Sequence, residues 1–433
     1  MTLRHSLRLL AAGILALPAL LVLVAVAPVI AILSIPSLAI LVRRKRNFIS
    51  SSFPPRGNND DQATNDDDAR PATTRELDPL LHHAIITGGS SGIGLSIAIE
   101  LARRGCRHIT LLARNEGQLA HAKRSVENAA AASTTEEAVT TTPTRSVRTV
   151  SVDVTDFAAL EKSIAELVVV AGGGDAKKSD DARADYELPP RPGPPTLLFC
   201  CAGYSIPLAF EDLSVSDFRA QVDVNYLGTV HAVKSLLPYM MKTDRAENNI
   251  AKAGTGTGGG RGGNIVLTSS MSGQAGTYGY SAYSPTKFAL RGFAECLSME
   301  LAAKRSNVNI SLVYPPDTRT PGYENENRRK PEECRLISES AGVWDPDVIG
   351  KGIVDKVLCA NPSFDIYFGI DGWMLSMLTS GFNPVTCVLD VICQVALMGL
   401  LRFTSLFYLM DFGRITQNCH DTKKVQKGSC KND

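Results

Sequence analysis

The sequence predicts a doubly wound α/β domain: a parallel sheet with helices on both faces. Short β-type runs, HAIIT, HITLLA, RTVSVDV, TLLFCC, GNIVLTS, NVNISLVY and FDIYFG, alternate with helical stretches. These runs are almost continuously apolar, as strands covered on both faces must be. A second observation is the order strand, glycine-rich turn, helix in IITGGSSGIGLSIAIELARRG, which suits a dinucleotide pyrophosphate.

Taken in chain order, the first strand leads into the turn that holds Gly88, Ser90, Ser91, Gly92, Ile93 and Gly94. The glycines let the backbone bend and approach a pyrophosphate, which then sits on the amino end of a helix running from about Ile93 to Arg104. The second strand ends at LLARNE and places Arg114 where an acid would otherwise bind a ribose 2′-hydroxyl. An arginine there pairs with a phosphate, which favours NADPH over NADH. Asp153 and Val154, after the third strand, are candidates for the adenine edge.

The fourth strand ends in Cys200 and Cys201, whose side chains point to opposite faces. The fifth ends near Ser270, and Tyr283 and Lys287 follow at i and i+4 on one helix face. A phenol of ordinary pKa ~10 is a weak acid-base catalyst at neutral pH. A neighbouring ammonium and a cationic nicotinamide ring both favour its ionised form, and lowering it to about 7 takes roughly 4 kcal/mol. Ser270 is placed to hydrogen-bond a carbonyl on which charge develops. Asn225, in VDVNYLG, is the candidate for holding a water on the proton path to Lys287. The sixth strand runs into YPPDTRTPGYENE, where Pro316 removes a backbone donor and Thr318 or Thr320 faces the nicotinamide carboxamide. The polar run 324–333 reads as a flap over the site.

Composition narrows the partners. The 433 residues carry 45 Lys+Arg against 44 Asp+Glu, so no basic field marks a nucleic-acid binder. The ten cysteines lack a CxxC pair and zinc spacing and read as reduced thiols. Residues 9–42 contain no charged side chain and are followed by Arg43, Arg44, Lys45 and Arg46. As helix they span about 51 Å, against a hydrocarbon core of roughly 30 Å. We read residues 1–46 as an uncleaved membrane anchor, either one kinked span or a shallow hairpin around its prolines. The basic flank then faces the cytosol.

Residues 47–80 form a solvated linker, 81–370 the catalytic domain, 371–412 an apolar region and 413–433 a polar tail. Loop insertions are expected near 129–144, 172–195 and 248–263, the last holding GTGTGGGRGG without a P-loop ending. In the apolar region Thr386, Asp390 and Gln394 recur at i, i+4 and i+8. That stripe suits an interfacial, dimerisation or core helix better than a free span.

The glycine pattern from Thr87 to Gly94, with Asn225, Ser270, Tyr283 and Lys287, resembles the short-chain dehydrogenase/reductase family over roughly residues 81–368. The resemblance implies a Rossmann-type fold. It also implies Tyr283 as proton donor, Lys287 for ribose binding and pKa lowering, Ser270 for carbonyl polarisation and Asn225 for relay. CCAG, at 200–203, stands where that family usually has Asn-Asn-Ala-Gly and puts the asparagine support of the central strand in doubt.

Within the family, NYLGTV, SAYSPTKFALRGFAE, DGWMLSMLTSGFNPVT and the segment after the sixth strand are similar to membrane-bound reductases of long-chain sphingoid ketones. This implies an endoplasmic reticulum membrane location with the site facing the cytosol, and a bilayer-dissolved substrate whose cationic amine suits the acidic flap. Homo-oligomers are common in the family. Two alternatives are a membrane-bound reductase of a steroid, retinoid or long-chain 3-ketoacyl substrate, and an inert NADPH-binding scaffold.

Overall fold

A computed structural model describes residues 83–132, 146–171, 195–252, 263–339, 342–359, 362–384 and 388–429. The expected anchor and linker lie outside the described residues, as does most of each expected insertion. Seven strands are described: β1 (His83–Thr87), β2 (His108–Ala113), β3 (Ser146–Ser151), β4 (Leu197–Cys200), β5 (Asn264–Thr268), β6 (Asn309–Tyr314) and β7 (Asp365–Tyr367). The helices are α1 (Gly92–Arg103), α2 (Glu116–Ala132), α3 (Phe157–Ala171), α4 (Val215–Gln221), α5 (Gly228–Lys252) and α6 (Ser284–Ala303). They continue with α7 (Pro321–Asn327), α8 (Glu332–Glu339), α9 (Pro346–Val357), α10 (Gly369–Thr379) and α11 (Val388–Ser429).

All strand pairs are parallel and the order is β3-β2-β1-β4-β5-β6-β7. The expected doubly wound sheet is therefore present. The third strand starts two residues earlier than RTVSVDV, because its ladder with β2 begins at Ser146↔His108.

Alternation along each strand splits the core between two faces. Ala84 and Ile86 pack with Ile97 and Leu101 of α1, Leu119 and Val126 of α2, and Ile349 and Ile353 of α9. Ile85 faces the other way, towards Leu160 of α3, Leu236 of α5 and Leu290 and Leu297 of α6. Cys200 is buried on this second face and Cys201 packs on the first, as their adjacency requires. Burial pushes the Cys201 thiol up to about 11 and Cys200 higher still, so both stay protonated.

The carboxyl-terminal apolar region is two helices rather than one. α10 ends at Thr379, and α11 starts again at Val388. Thr386 lies outside the described residues, while Asp390 and Gln394 both fall on α11. α11 then crosses the expected boundary at 412 and continues to Ser429. By contacts, residues 392–399 of α11 group apart from the large unit that holds the sheet. Within that large unit, Leu400, Phe403, Leu406, Phe407, Leu409 and Met410 are all exposed. Among the described residues α11 is the one helix long and apolar enough to cross a membrane.

α9 crosses α1 at close range because Gly350 has no side chain: a Cβ there would meet the Ser96 hydroxyl at 2.5 Å and backbone carbon at 2.9 Å. Gly350→Val is expected to cost about 1–3 kcal/mol by overpacking. The measurement is the thermal unfolding midpoint of the detergent-solubilised chain, and an unchanged midpoint contradicts this account of the packing.

Candidate active site

β2 and β3 lie on one side of β1, and β5, β6 and β7 on the far side of β4. The loops leaving β1 and β4 therefore diverge, and a crevice opens at the carboxyl edge, where open α/β sheets bind ligands. A cavity of about 800 Å³ occupies it. Every residue singled out for the site from sequence lines this cavity except Asn225, which is fully buried beside it.

The turn after β1 makes a cradle. Gly88 has φ +66°, and a Cβ on it would stand 2.7 Å from the backbone nitrogen of Ala202, while one on Gly94 would stand 2.5 Å from the Gly88 carbonyl. Bulk at either position would separate the turn from β4 or from α1. Ser91 precedes α1, and its side chain makes no capping hydrogen bond, leaving first-turn amides without a side-chain acceptor. Ser90, Ser91, Gly92 and Ile93 all line the cavity there. An open helix start against a glycine turn fits a pyrophosphate.

At the other end of the crevice, Arg114 is largely exposed and lies 3.6 Å from the Asp153 carboxylate. Burial alone would raise the Asp153 carboxyl, but hydrogen bonds from Thr155 and the Arg114 charge hold it below its ordinary range. Val154 is buried, and its carbonyl faces the His231 ring nitrogen at 2.8 Å.

The candidate groups converge from three elements. Ser270 lies two residues beyond β5, and its hydroxyl accepts from the Ser272 amide at 3.1 Å. Tyr283 stands at the start of α6 rather than inside it. Lys287, one turn on, is 5% exposed and donates to the Thr268 carbonyl at 2.9 Å. Its Nζ lies 5.6 Å from the Tyr283 ring centre. Asn225 sits in a π-helical turn, Val222–Leu227, of the kind that recurs at functional sites. Its amide clamps Tyr204 from both sides, accepting from the Tyr204 nitrogen and donating to the Tyr204 carbonyl, each at 2.9 Å.

One expectation is reversed. The Tyr283 phenol is not lowered: burial pushes it above its ordinary range, and the Glu326 carboxylate adds to the push, while the Ser270 side chain opposes it. Lys287 is the group shifted downwards, to about 8, because its ammonium is buried. At the CCAG departure, Thr268 donates to the Cys201 sulfur at 3.5 Å.

The segment after β6 is not a uniform flap. Pro315 accepts from the Met271 amide at 3.1 Å, which ties the turn to the Ser270 loop. Thr318 is buried and donates to the Pro316 carbonyl at 2.8 Å, and Thr320 caps α7 through the Tyr323 amide. The polar run folds into α7 and α8. Glu326 accepts from Tyr280 and Ser205, and Lys330 bridges it to Asp317. Glu326 and Lys330 lie in the polar run 324–333 that the sequence marks as an acidic flap, whereas Ser205 and Tyr280, which hold Glu326, were not singled out. Tyr280, three residues before Tyr283, carried a spacing signal, whereas Ser205 carried none.

Residues 190–331 match the short chain dehydrogenase family and residues 83–171 the KR domain family. The chain is 38% identical to a 3-dehydrosphinganine reductase of Danio rerio over 81% of its length and 88% of the relative's. It is 40% identical to a 3-ketodihydrosphingosine reductase of Bos taurus over 78% of its length and 86% of the relative's. A 3-ketodihydrosphingosine reductase of Dictyostelium discoideum is 31% identical over 70% and 79%. With a seven-stranded parallel sheet, a glycine cradle and a serine, tyrosine and lysine converging on one cavity, the chain belongs to the short-chain dehydrogenase/reductase family that contains these reductases.

Proposed function

We propose that the chain uses NADPH to reduce the 3-keto group of 3-ketodihydrosphingosine, giving dihydrosphingosine. The observation that carries this reading is the identity with reductases named for that substrate, sustained over about four-fifths of both chains. The Ser270, Tyr283 and Lys287 set in one cavity supports catalysis over mere binding, because a scaffold has no need of a proton donor facing the cavity.

The cradle at Gly88, Gly92 and Gly94 with Ser90, Ser91 and Ile93 would hold the pyrophosphate, Asp153 and Val154 the adenine edge, and Arg114 the 2′-phosphate. Thr318 would meet the carboxamide. When bound, NADPH supplies a hydride to the carbonyl carbon. Ser270 polarises the carbonyl, and Tyr283 gives its proton to the oxygen as charge develops there. A phenol held above its ordinary range remains protonated at neutral pH, the form reduction requires. The Lys287 ammonium would reach the ribose hydroxyls and restore the proton, and Asn225 would hold a relay water.

The same reading places the chain at the endoplasmic reticulum membrane with its cavity towards the cytosol. The apolar helix α11 supports membrane attachment, and the basic residues 43–46 support the orientation. A bilayer-dissolved ketone then meets a tethered reductase at high local concentration. Pairing of copies belongs to this reading too, and Val222, Leu227, Phe288 and Met299, exposed around Asn225 and on α6, support it.

Microsomes expressing the chain are expected to reduce 3-ketodihydrosphingosine with NADPH, and Tyr283→Phe to lower kcat/KM by about 10²–10⁴-fold. Turnover of a steroid or retinal but not the sphingoid ketone refutes the substrate, and full activity in Tyr283→Phe refutes the mechanism. The kcat/KM for NADPH reports the free enzyme. Lys287 carries its charge below its pKa, so this parameter should fall as pH rises through about 8. A profile level through the alkaline range contradicts the lysine's role. Arg114→Ala is expected to raise the KM for NADPH about five- to tenfold, the modest size following from its exposure, with little change for NADH. Equal effects on both cofactors would remove the phosphate contact.

A further inference from the structure

The charges around the cavity lid do not balance. Asp317 and Glu326 face one ammonium, that of Lys330, at 3.3 and 3.2 Å. The Lys330 side chain is 1% exposed and lies over the rings of Tyr280 and Tyr323, so the group is enclosed. Two carboxylates and one ammonium leave one negative charge. Arg328 and Arg329 line the same cavity, but among the described residues neither forms an ion pair with these carboxylates. The Asp317 and Glu326 side chains keep 25% and 17% exposure, and an excess negative charge in this partly buried setting favours a cation entering beside it.

Glu326 is the member open to such a cation. Its Oε1 accepts from Tyr280 and Lys330 and its Oε2 from Ser205. A carboxylate offers about four acceptor positions, so one remains. The neighbouring acids are placed differently: Glu324 is exposed, Glu332 pairs with Arg335, Glu333 is held by Lys423, and Asp317 shares Lys330 with Glu326, but it is Glu326 that accepts from Tyr280 beside Tyr283.

Position supports the same residue. The Tyr280 ring lies 5.5 Å from that of Tyr283, so the carboxylate bound to Tyr280 is one side chain removed from the proton donor. In an α-amino ketone the nitrogen sits on the carbon next to the carbonyl. With the carbonyl oxygen held by Ser270 and Tyr283 and the amine-bearing carbon turned towards Tyr280, the ammonium comes to this side of the cavity. Ser205, from the loop after β4, and Tyr280, from the loop before α6, hold the carboxylate from two directions.

We propose that Glu326 is the specificity-determining residue for α-amino ketones: it accepts a hydrogen bond from the substrate ammonium, while Ser205, Tyr280 and Lys330 fix its carboxylate. This rests on the reading of the chain as a ketone reductase and deepens it, since it names the feature of the substrate that is recognised.

The test compares 3-ketodihydrosphingosine with the 1-hydroxy-3-ketone of the same chain length that lacks the amine, using the detergent-solubilised full chain and NADPH. Wild type is expected to favour the amine-bearing ketone in kcat/KM by about ten- to a hundredfold, the span of a hydrogen bond to a charged group. Glu326→Gln is expected to bring that ratio within about threefold. An unchanged ratio, or an equal loss on both ketones, overturns the proposal. NADPH fluorescence checks that the variant retains its cofactor site. Should it fail to fold, wild type is inhibited with dihydrosphingosine and with its N-acetyl derivative, and equal inhibition constants overturn the proposal. The two levels separate cleanly. If wild type reduces neither ketone, the substrate reading itself fails; if it reduces both equally well, only the role of Glu326 does.

Discussion

Burial of the Lys287 ammonium at the carboxyl edge of the sheet is the constraint around which the site is arranged. At 5% exposure the charge has lost its water, and no carboxylate forms an ion pair with it among the described residues. A group in that position costs several kcal/mol unless protein dipoles replace the solvent. The Thr268 carbonyl does so because β5 ends there. Ser269, the next residue, donates its hydroxyl to the Lys287 carbonyl at 2.9 Å. Strand end and helix are thus bound in both directions, and this fixes where Tyr283 can stand, one turn earlier. The loop after β4 must stay thin at the same point, since a Cβ on Gly203 would meet Asn225 Oδ1 at 3.1 Å and Lys287 Nζ at 3.4 Å.

Around that fixed edge the lid is attached by polar contacts rather than by a large apolar interface. α7 buries none of its residues fully, yet Glu326 joins it to the loops after β4 and before α6. α8 is fastened farther out, where Lys423 of α11 donates to the buried Glu333 carboxylate at 2.7 and 2.9 Å. Cavity, lid and carboxyl-terminal helix therefore form one chain of contacts. Charged hydrogen bonds of this kind are stronger and more directional than neutral ones. The lid is consequently held in register over Tyr283 while its outer surface stays polar.

α11 also carries the apolar side chains that the sheet unit leaves exposed, from Leu400 to Met410. A soluble reductase gains nothing from such a surface, whereas a reductase of a bilayer-dissolved ketone gains proximity to its substrate. The polar stretch of the same helix returns to the lid through Lys423. The helix that suits a membrane is thus in direct contact with the element that covers the reacting groups.

Much of this was legible along the chain. The strands were readable because each is a short apolar run bounded by turns. The glycine turn, Ser270, Tyr283 and Lys287 were readable because their spacing along a strand end or helix is itself the geometry that brings them together. Other features depend on residues far apart in sequence that only packing unites. Ser205, Tyr280 and the pair Asp317 and Glu326 come from three segments, and none carries a local pattern that announces the others. The division of the apolar region into α10 and α11, and the reach of α11 to Glu333, were likewise tertiary outcomes. So was the electrostatic state of the site. Sequence by itself determined that Ser270, Tyr283 and Lys287 would meet at one cavity, because residue type and local spacing set that. Only the tertiary structure decided that the phenol is raised and the lysine lowered, because the dielectric around a titrating group is set by everything packed against it.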